Sequence, residues 1–197
     1  MAGISDTYIR CFIALDISEP IRQDFSDIIE RLRKHRADVK WVPVDNIHLT
    51  LKFLGNTPEN VLPKMRECLF NVVLSYNPFY IRIYTTGVFP NRRYPKVIWI
   101  GVEDSEILQK LHTDIENSME SLGFKKEQRN FKPHLTLGRV RSPKGTLNLV
   151  NELDSYREKD FGNIHVKTIK LMKSELTPRG ARYTCIYEIP MGKNTVS

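Results

Sequence analysis

The chain has no long hydrophobic run. Across its 197 residues no window approaches the roughly 18 consecutive apolar residues that a membrane span requires. The opening MAGISDTYIR has no charged stretch followed by an apolar one. No secretory signal is read there, and a cytoplasmic location is the expectation. Cysteine is scarce as well. Cys11, Cys68 and Cys185 are odd in number, widely spaced and without a CxxC pair. Neither a disulfide framework nor a structural zinc site is expected from them. GxSxG is missing, so a nucleophilic serine elbow has no support. There is no low-complexity tract and no long linker.

What is present is ordinary globular composition, with 41% apolar and 27% charged residues. That excludes a largely disordered chain. The length suits one domain or two small, closely packed lobes. Acids are outnumbered, 23 against 30 Lys and Arg, which leaves a net charge of +7. Most of the excess lies between Lys125 and Lys144, where seven basic residues face only Glu127. An anionic partner is the natural reading of such a cluster.

Hydrophobic patterning predicts strands over Tyr8–Ile17, Val39–Val42, Ile47–Leu54, Phe79–Phe89, Lys96–Glu103, Phe131–Val140, Ile164–Lys173 and Arg182–Pro190. Helices are expected from Ser18, over Pro58–Ser75, from Asp104 to Leu122 and over Thr146–Tyr156. A polar tail is expected over about 192–197.

The chain also repeats itself. His48-Leu49-Thr50-Leu51 recurs 86 residues later as His134-Leu135-Thr136-Leu137. The same shift, without gaps, carries Phe12-Ile13-Ala14 onto Ile98-Trp99-Ile100 and Ser18 onto Asp104. Both segments, about 8–54 and 94–140, read strand, capped helix, then the HLTL strand. The expectation is an α+β fold of two pseudo-symmetric lobes, each an antiparallel sheet packed by helices, with a central groove. The whole chain, 1–197, would form one bilobal domain.

Residues i and i+2 of a strand share a face. His48 and Thr50 therefore project together, as do His134 and Thr136, while the leucines anchor each strand. An imidazole can take a proton and an imidazolium can give one. One of each across a phosphodiester would drive hydrolysis near neutral pH. The threonine hydroxyls would donate to non-bridging oxygens. Reactive nitrogens roughly 5–8 Å apart would suit a single phosphate between them. No Asp, Glu or Cys lies in either motif, and HxT is no zinc spacing, so no metal or other cofactor is called for. The symmetry leaves open which histidine is the acid.

HLTLKFLG and FKPHLTLGR resemble the paired HxTx motifs of the two-histidine (2H) phosphoesterase superfamily. The nearest resemblance is to the RNA 2′,3′-cyclic phosphodiesterases, also called 2′-5′ RNA ligases. FIALDIS, WVPVDNIHLTLKFLG, GVFP, VIWIGV and SELTPRGARY extend it over nearly the whole chain. The resemblance implies metal-independent opening of a 2′,3′-cyclic phosphate at an RNA end, tRNA-like or other, to a 2′-phosphomonoester. It implies His48 as proton donor and His134 as proton acceptor, with Thr50 and Thr136 as the motif threonines. It also implies that Phe53 and Arg139, each five residues after its histidine, flank the terminal base. Strand parity opposes this, since i+5 points away from the histidine face, unless a bulge or strand end near Gly138 intervenes. Arg129, Phe131 and Lys132 are further candidates for RNA contact, together with Arg141, Lys144, Tyr94 and Tyr183.

Other readings remain open at this level. They are a 2′-5′ RNA ligase running the reaction backwards, a phosphodiesterase for a small cyclic nucleotide, and a non-catalytic nucleotide- or RNA-binding module. No membrane association or obligate protein partner is expected. A monomer is the default, because the repeat supplies a pseudo-dimer within one chain.

Overall fold

A computed structural model describes residues 7–178 and 180–192. Apart from Gly192, the expected polar tail lies outside them. The elements run β1 (Tyr8–Leu15), α1 (Glu19–Arg33), β2 (Val39–Trp41), β3 (Leu49–Pro58), α2 (Leu62–Val73), β4 (Phe79–Phe89) and β5 (Val97–Val102). They continue with α3 (Glu106–Glu120), β6 (His134–Val140), α4 (Thr146–Asp154), β7 (Asp160–Val166), β8 (Thr168–Thr177) and β9 (Gly180–Pro190).

All strand pairings among the described residues are antiparallel. The order is β7-β4-β5-β6-β3-β1-β8-β9, with β2 beside β6. This is an α+β fold with two four-stranded halves, β6-β5-β4-β7 and β3-β1-β8-β9. They join through one residue pair, Leu49 with Leu135. Those two leucines are the repeat equivalents of each other.

The sheet must curl. At about 4.8 Å per strand, a flat sheet would hold β7 and β8 roughly 29 Å apart. Only Lys167 links them, and two Cα steps span at most about 7.6 Å. The two flanks of the sheet therefore approach each other.

The helices cross between the halves. α1 follows β1 but packs against α4 and β7, whereas α3 follows β5 but packs against α2 and β3. α1 buries Ile21, Phe25, Ile28, Ile29 and Leu32, a stripe at helical spacing. α3 buries Leu108, Leu111, Ile115 and Met119 in the same way. The buried apolar residues of both halves form one continuous cluster.

Several expected boundaries move. The cap of α3 is Ser105, whose side chain accepts from the Leu108 N–H. Asp104 instead accepts from the Gln109 side chain. Ser18 holds the N-cap position of α1 without a side-chain bond. β3 continues through Gly55, which takes a positive φ of 71°, to Pro58. The stretch Ile164–Lys173 is two strands, because the chain leaves one flank of the sheet and joins the other at Lys167. Apolar alternation slips by one residue there, from Ile164 and Val166 to Ile169 and Leu171.

The repeat is not gapless either. Leu15 pairs with Leu49, and Ile100 pairs with Leu135. Ile13 and Leu15 thus correspond to Ile98 and Ile100, an offset of 85, and all four are core residues. Ala14 corresponds to Trp99, on the opposite face. The helices, starting at Glu19 and Glu106, are offset by 87. Only the motif strands keep 86.

Candidate active site

The Leu49–Leu135 pair positions the motif residues. Both leucines are buried in the core. Antiparallel register then sets His48 opposite Thr136 and Thr50 opposite His134, all four on the other face and only half-buried. Directly opposite side chains start about 5 Å apart and diagonal ones about 7–8 Å. The two histidines are a diagonal pair. The bridge is confined to one residue pair, so the strands are free to diverge on either side of it.

Phe53 and Arg139 reach this face because both motif strands bulge. β1 pairs Ala14 with Thr50 but Ile13 with Lys52, so Leu51 is an extra residue. β5 pairs Trp99 with Thr136 but Ile98 with Gly138, so Leu137 is extra. The two bulges are repeat equivalents. Each inverts the alternation once, and the fifth residue after the histidine returns to the histidine side. Phe53 is 71% exposed there. Its ring lies 6.3 Å from that of Phe12, which stacks on His48 at 4.7 Å. Arg139 is exposed and close enough to Tyr183 for its charge to oppose the rise that burial imposes on the Tyr183 hydroxyl. Tyr183 in turn meets the edge of His48, with ring centres 5.3 Å apart. The side chain following each bulge faces the core. At one position this is Lys52, buried and bonded to Glu116 at 2.6 Å. At the other it is Gly138, where a Cβ would sit 2.7 Å from Val39 Cγ1.

Both imidazoles are held in the same way. His48 Nδ1 lies 2.7 Å from the Asn46 carbonyl, and His134 Nδ1 lies 2.7 Å from the Lys132 carbonyl. A carbonyl only accepts, so each Nδ1 carries hydrogen and each Nε2 is left for proton transfer. Asn46 is itself tied down, donating to the Ala181 carbonyl of β9. Burial lowers the His48 pKa below the ordinary imidazole value, partly opposed by the Asn46 bond and the Asp16 charge. His134 meets the edge of Phe89, with ring centres 5.1 Å apart.

Beside His48 lies a cavity of about 120 Å³, bordered by Asp16, Arg22, Asn46, Lys170 and Tyr183. Asp16 accepts from Arg22, from Lys170 at 2.8 Å and from the Ile17 N–H at 2.9 Å. Burial works to raise the Asp16 carboxyl, but these donors prevail and hold it below the usual carboxylate range.

The remaining candidates are more dispersed. Arg129 and Lys132 are exposed on the segment entering β6. Phe131 is half-buried, with one ring face covered by His112 at 4.1 Å. Arg141 and Lys144 lie past the end of β6, where their main chains bond Asp38. Sequence reasoning missed Phe12 and Phe89. Parity alone could have placed Phe12 opposite the core-facing Ile13. Among the described residues no group of three or more His, Cys, Asp or Glu could hold a metal ion. No helix there is long and apolar enough to cross a membrane.

The curled antiparallel sheet with exchanged helices is the fold of the two-histidine phosphoesterases. The crystal structure of a protein from Thermus thermophilus superimposes with a TM-score of 0.79, 29% identity, and coverage of 94% of this chain and 100% of that one. Escherichia coli LigT complexed with 3′-AMP gives a TM-score of 0.74 at 22% identity, covering 95% and 100%. The family model of the 2′-5′ RNA ligase superfamily matches residues 18–177, and the chain belongs to that family. A relative from Methanocaldococcus jannaschii, named RNA 2′,3′-cyclic phosphodiesterase, is 38% identical over 91% of this chain and 99% of its own length. Another of that name, from Methanothermobacter thermautotrophicus, is 37% identical over 89% and 95%.

Proposed function

We propose that the protein hydrolyses 2′,3′-cyclic phosphodiester ends of RNA to 2′-phosphomonoesters by metal-independent acid–base catalysis. One observation carries this reading. The Leu49–Leu135 pair sets two repeat-related His-Thr pairs on one face, each imidazole with Nε2 free. The names of the relatives support the substrate.

His134 Nε2 accepts a proton from water as the water oxygen forms its bond to phosphorus. The bond from phosphorus to the 3′ oxygen breaks, and that oxygen takes a proton from His48 Nε2. Thr50 and Thr136 donate to the non-bridging oxygens, where charge builds in the transition state. Phe53 and Arg139, one from each half, flank the terminal base. One chain supplies both histidines, so the working unit is a monomer. With a 5′-hydroxyl in place of water as the nucleophile, the same step would join a 2′,3′-cyclic end through a 2′-5′ linkage.

The test is a short RNA ending in a 2′,3′-cyclic phosphate, incubated with the protein in EDTA and followed by phosphorus NMR. The expected product is a 2′-phosphate. A 3′-phosphate would refute the 3′ leaving group, and activity only without EDTA would refute the metal-independent route. His48→Ala and His134→Ala should each lose more than about 100-fold in rate while remaining folded by circular dichroism. Retained turnover in either would sink the two-histidine mechanism. Thr50→Ala or Thr136→Ala should cost about 10- to 1,000-fold.

A further inference from the structure

A second cleft opens one aromatic ring away from His134. Phe89 touches both His134 and Trp99, with ring centres 5.1 and 5.0 Å away. Trp99 lies flat over Gly87, where any Cβ would come within 2.3 Å of its ring. The glycine is thus what lets the indole settle on the sheet. Beyond Trp99 lies a space of about 820 Å³. The cavity beside His48, about 120 Å³, is of phosphate size at most, whereas the cleft falls in the range of about 300–1,000 Å³ that holds whole small ligands.

The walls of the cleft are cationic and aromatic. They come from the loop Asn91–Tyr94, from Arg157 after α4, and from the free edge of β4, with Val150, Leu153 and Asp154 of α4 forming the floor. β7 pairs with β4 only as far as Tyr84, so Gly87 and Val88 have no partner strand on that side among the described residues. Arg92 is ion-paired with Asp154. Arg93 and Arg157 are exposed and have no carboxylate within salt-bridge distance among the described residues. Arg93 lies over the ring of Tyr94, 5.3 Å from its centre, and Tyr94 is 59% exposed. Unpaired guanidinium groups beside exposed rings are how proteins hold single-stranded nucleic acid without reading its sequence.

We infer that this cleft is a subsite for the ribonucleotides that precede the cyclic end in the same strand. The inference rests on the proposed RNA activity. Arg93 and Arg157 hold backbone phosphates, and Tyr94 stacks on a base. The terminal nucleotide occupies the histidine face, and the strand leaves past Phe89 and Trp99 into the cleft. The site therefore favours a polymer over a mononucleotide, whatever the base sequence.

The test is direct binding, which does not depend on turnover. A fluorescein-labelled RNA pentamer ending in a 2′-phosphate is titrated by anisotropy against the parent protein and Arg93→Gln/Arg157→Gln. Adenosine 2′-phosphate is titrated by calorimetry in parallel. Both substituted positions are exposed, and Arg92 is left to its ion pair, so the variant should melt like the parent. We expect pentamer affinity to fall about 10-fold or more, well beyond any loss for the mononucleotide. The slope of log K against log salt should also fall by about 0.7 for each phosphate contact removed. Unchanged pentamer binding, or an equal loss for both ligands, would overturn the subsite. Failure of the proposed activity would look different, as absence of turnover of cyclic-ended RNA by the parent protein.

Discussion

Two histidines with the same backbone anchor sit in different surroundings. His48 lies between Phe12 and Tyr183, and burial lowers its pKa. In an acid–base pair, the acidic limb of the kcat/KM profile belongs to the lower of the two pKa values. That value is no higher than that of His48, so the limb should lie below the ordinary imidazole value of about 6.5. The sign is that activity persists as pH falls through 6.5, because His48 takes its proton late. An acidic limb above about pH 7 would contradict the burial argument. The profile alone leaves the roles undivided, since exchanging acid and base gives the same bell. An activated leaving group divides them, because a good leaving group needs no proton. His48→Ala should recover most of its lost rate on a p-nitrophenyl phosphodiester, and His134→Ala should not. The reverse pattern would exchange the two roles.

Among the elements, the motif strands do more than carry the histidines. The bulges at Leu51 and Leu137 put Phe53 and Arg139 on the histidine face and turn Lys52 inward. Inside, Lys52 bonds Glu116 of α3 at 2.6 Å and the Lys125 carbonyl at 2.9 Å. Glu116 in turn accepts from the Glu127 N–H at 3.3 Å. The chain entering the second motif is thereby fastened to the strand of the first. Lys52→Met would leave Glu116 buried without its partner, at a cost of about 3–5 kcal/mol. Replacing both, as Lys52→Met with Glu116→Leu, should cost clearly less. Urea denaturation of the three variants and the parent would show it. Equal losses would mean that the pair acts only through packing. Alternation set against the family resemblance called only for a bulge or strand end near Gly138; the twin bulge at Leu51 and the burial of Lys52 were not legible. HLTLKFLG displays its histidine and threonine plainly, but a bulge is set by the partner strand, and the partner is chosen by the fold.

The two halves of the molecule are bound together by their core. Their sheets meet at a single residue pair, yet α1 and α3 each pack on the opposite half and the buried apolar residues are continuous. Leu135, fully buried at the junction, is the place to test this. Leu135→Ala should cost about 2–5 kcal/mol through the cavity it leaves. Unfolding should remain a single transition, because neither half can lose its helix without exposing the other. Two separated transitions in urea would show independent halves.

The sequence by itself determined the candidate reacting groups. Paired HxT words at a fixed spacing single them out, and their alternation puts each histidine beside its threonine and away from the leucines. Local patterning also settled most strands and helices, since apolar period and caps are short-range properties. The tertiary structure alone decided three things. It placed the two bulges, which reconcile Phe53 and Arg139 with strand parity. It divided Ile164–Lys173 between opposite flanks of a curled sheet. It also broke the gapless repeat, with offsets of 85, 87 and 86 in successive elements. The common reason is that register, bulge and crossover depend on which distant segments meet, and that choice is made by burying one shared core.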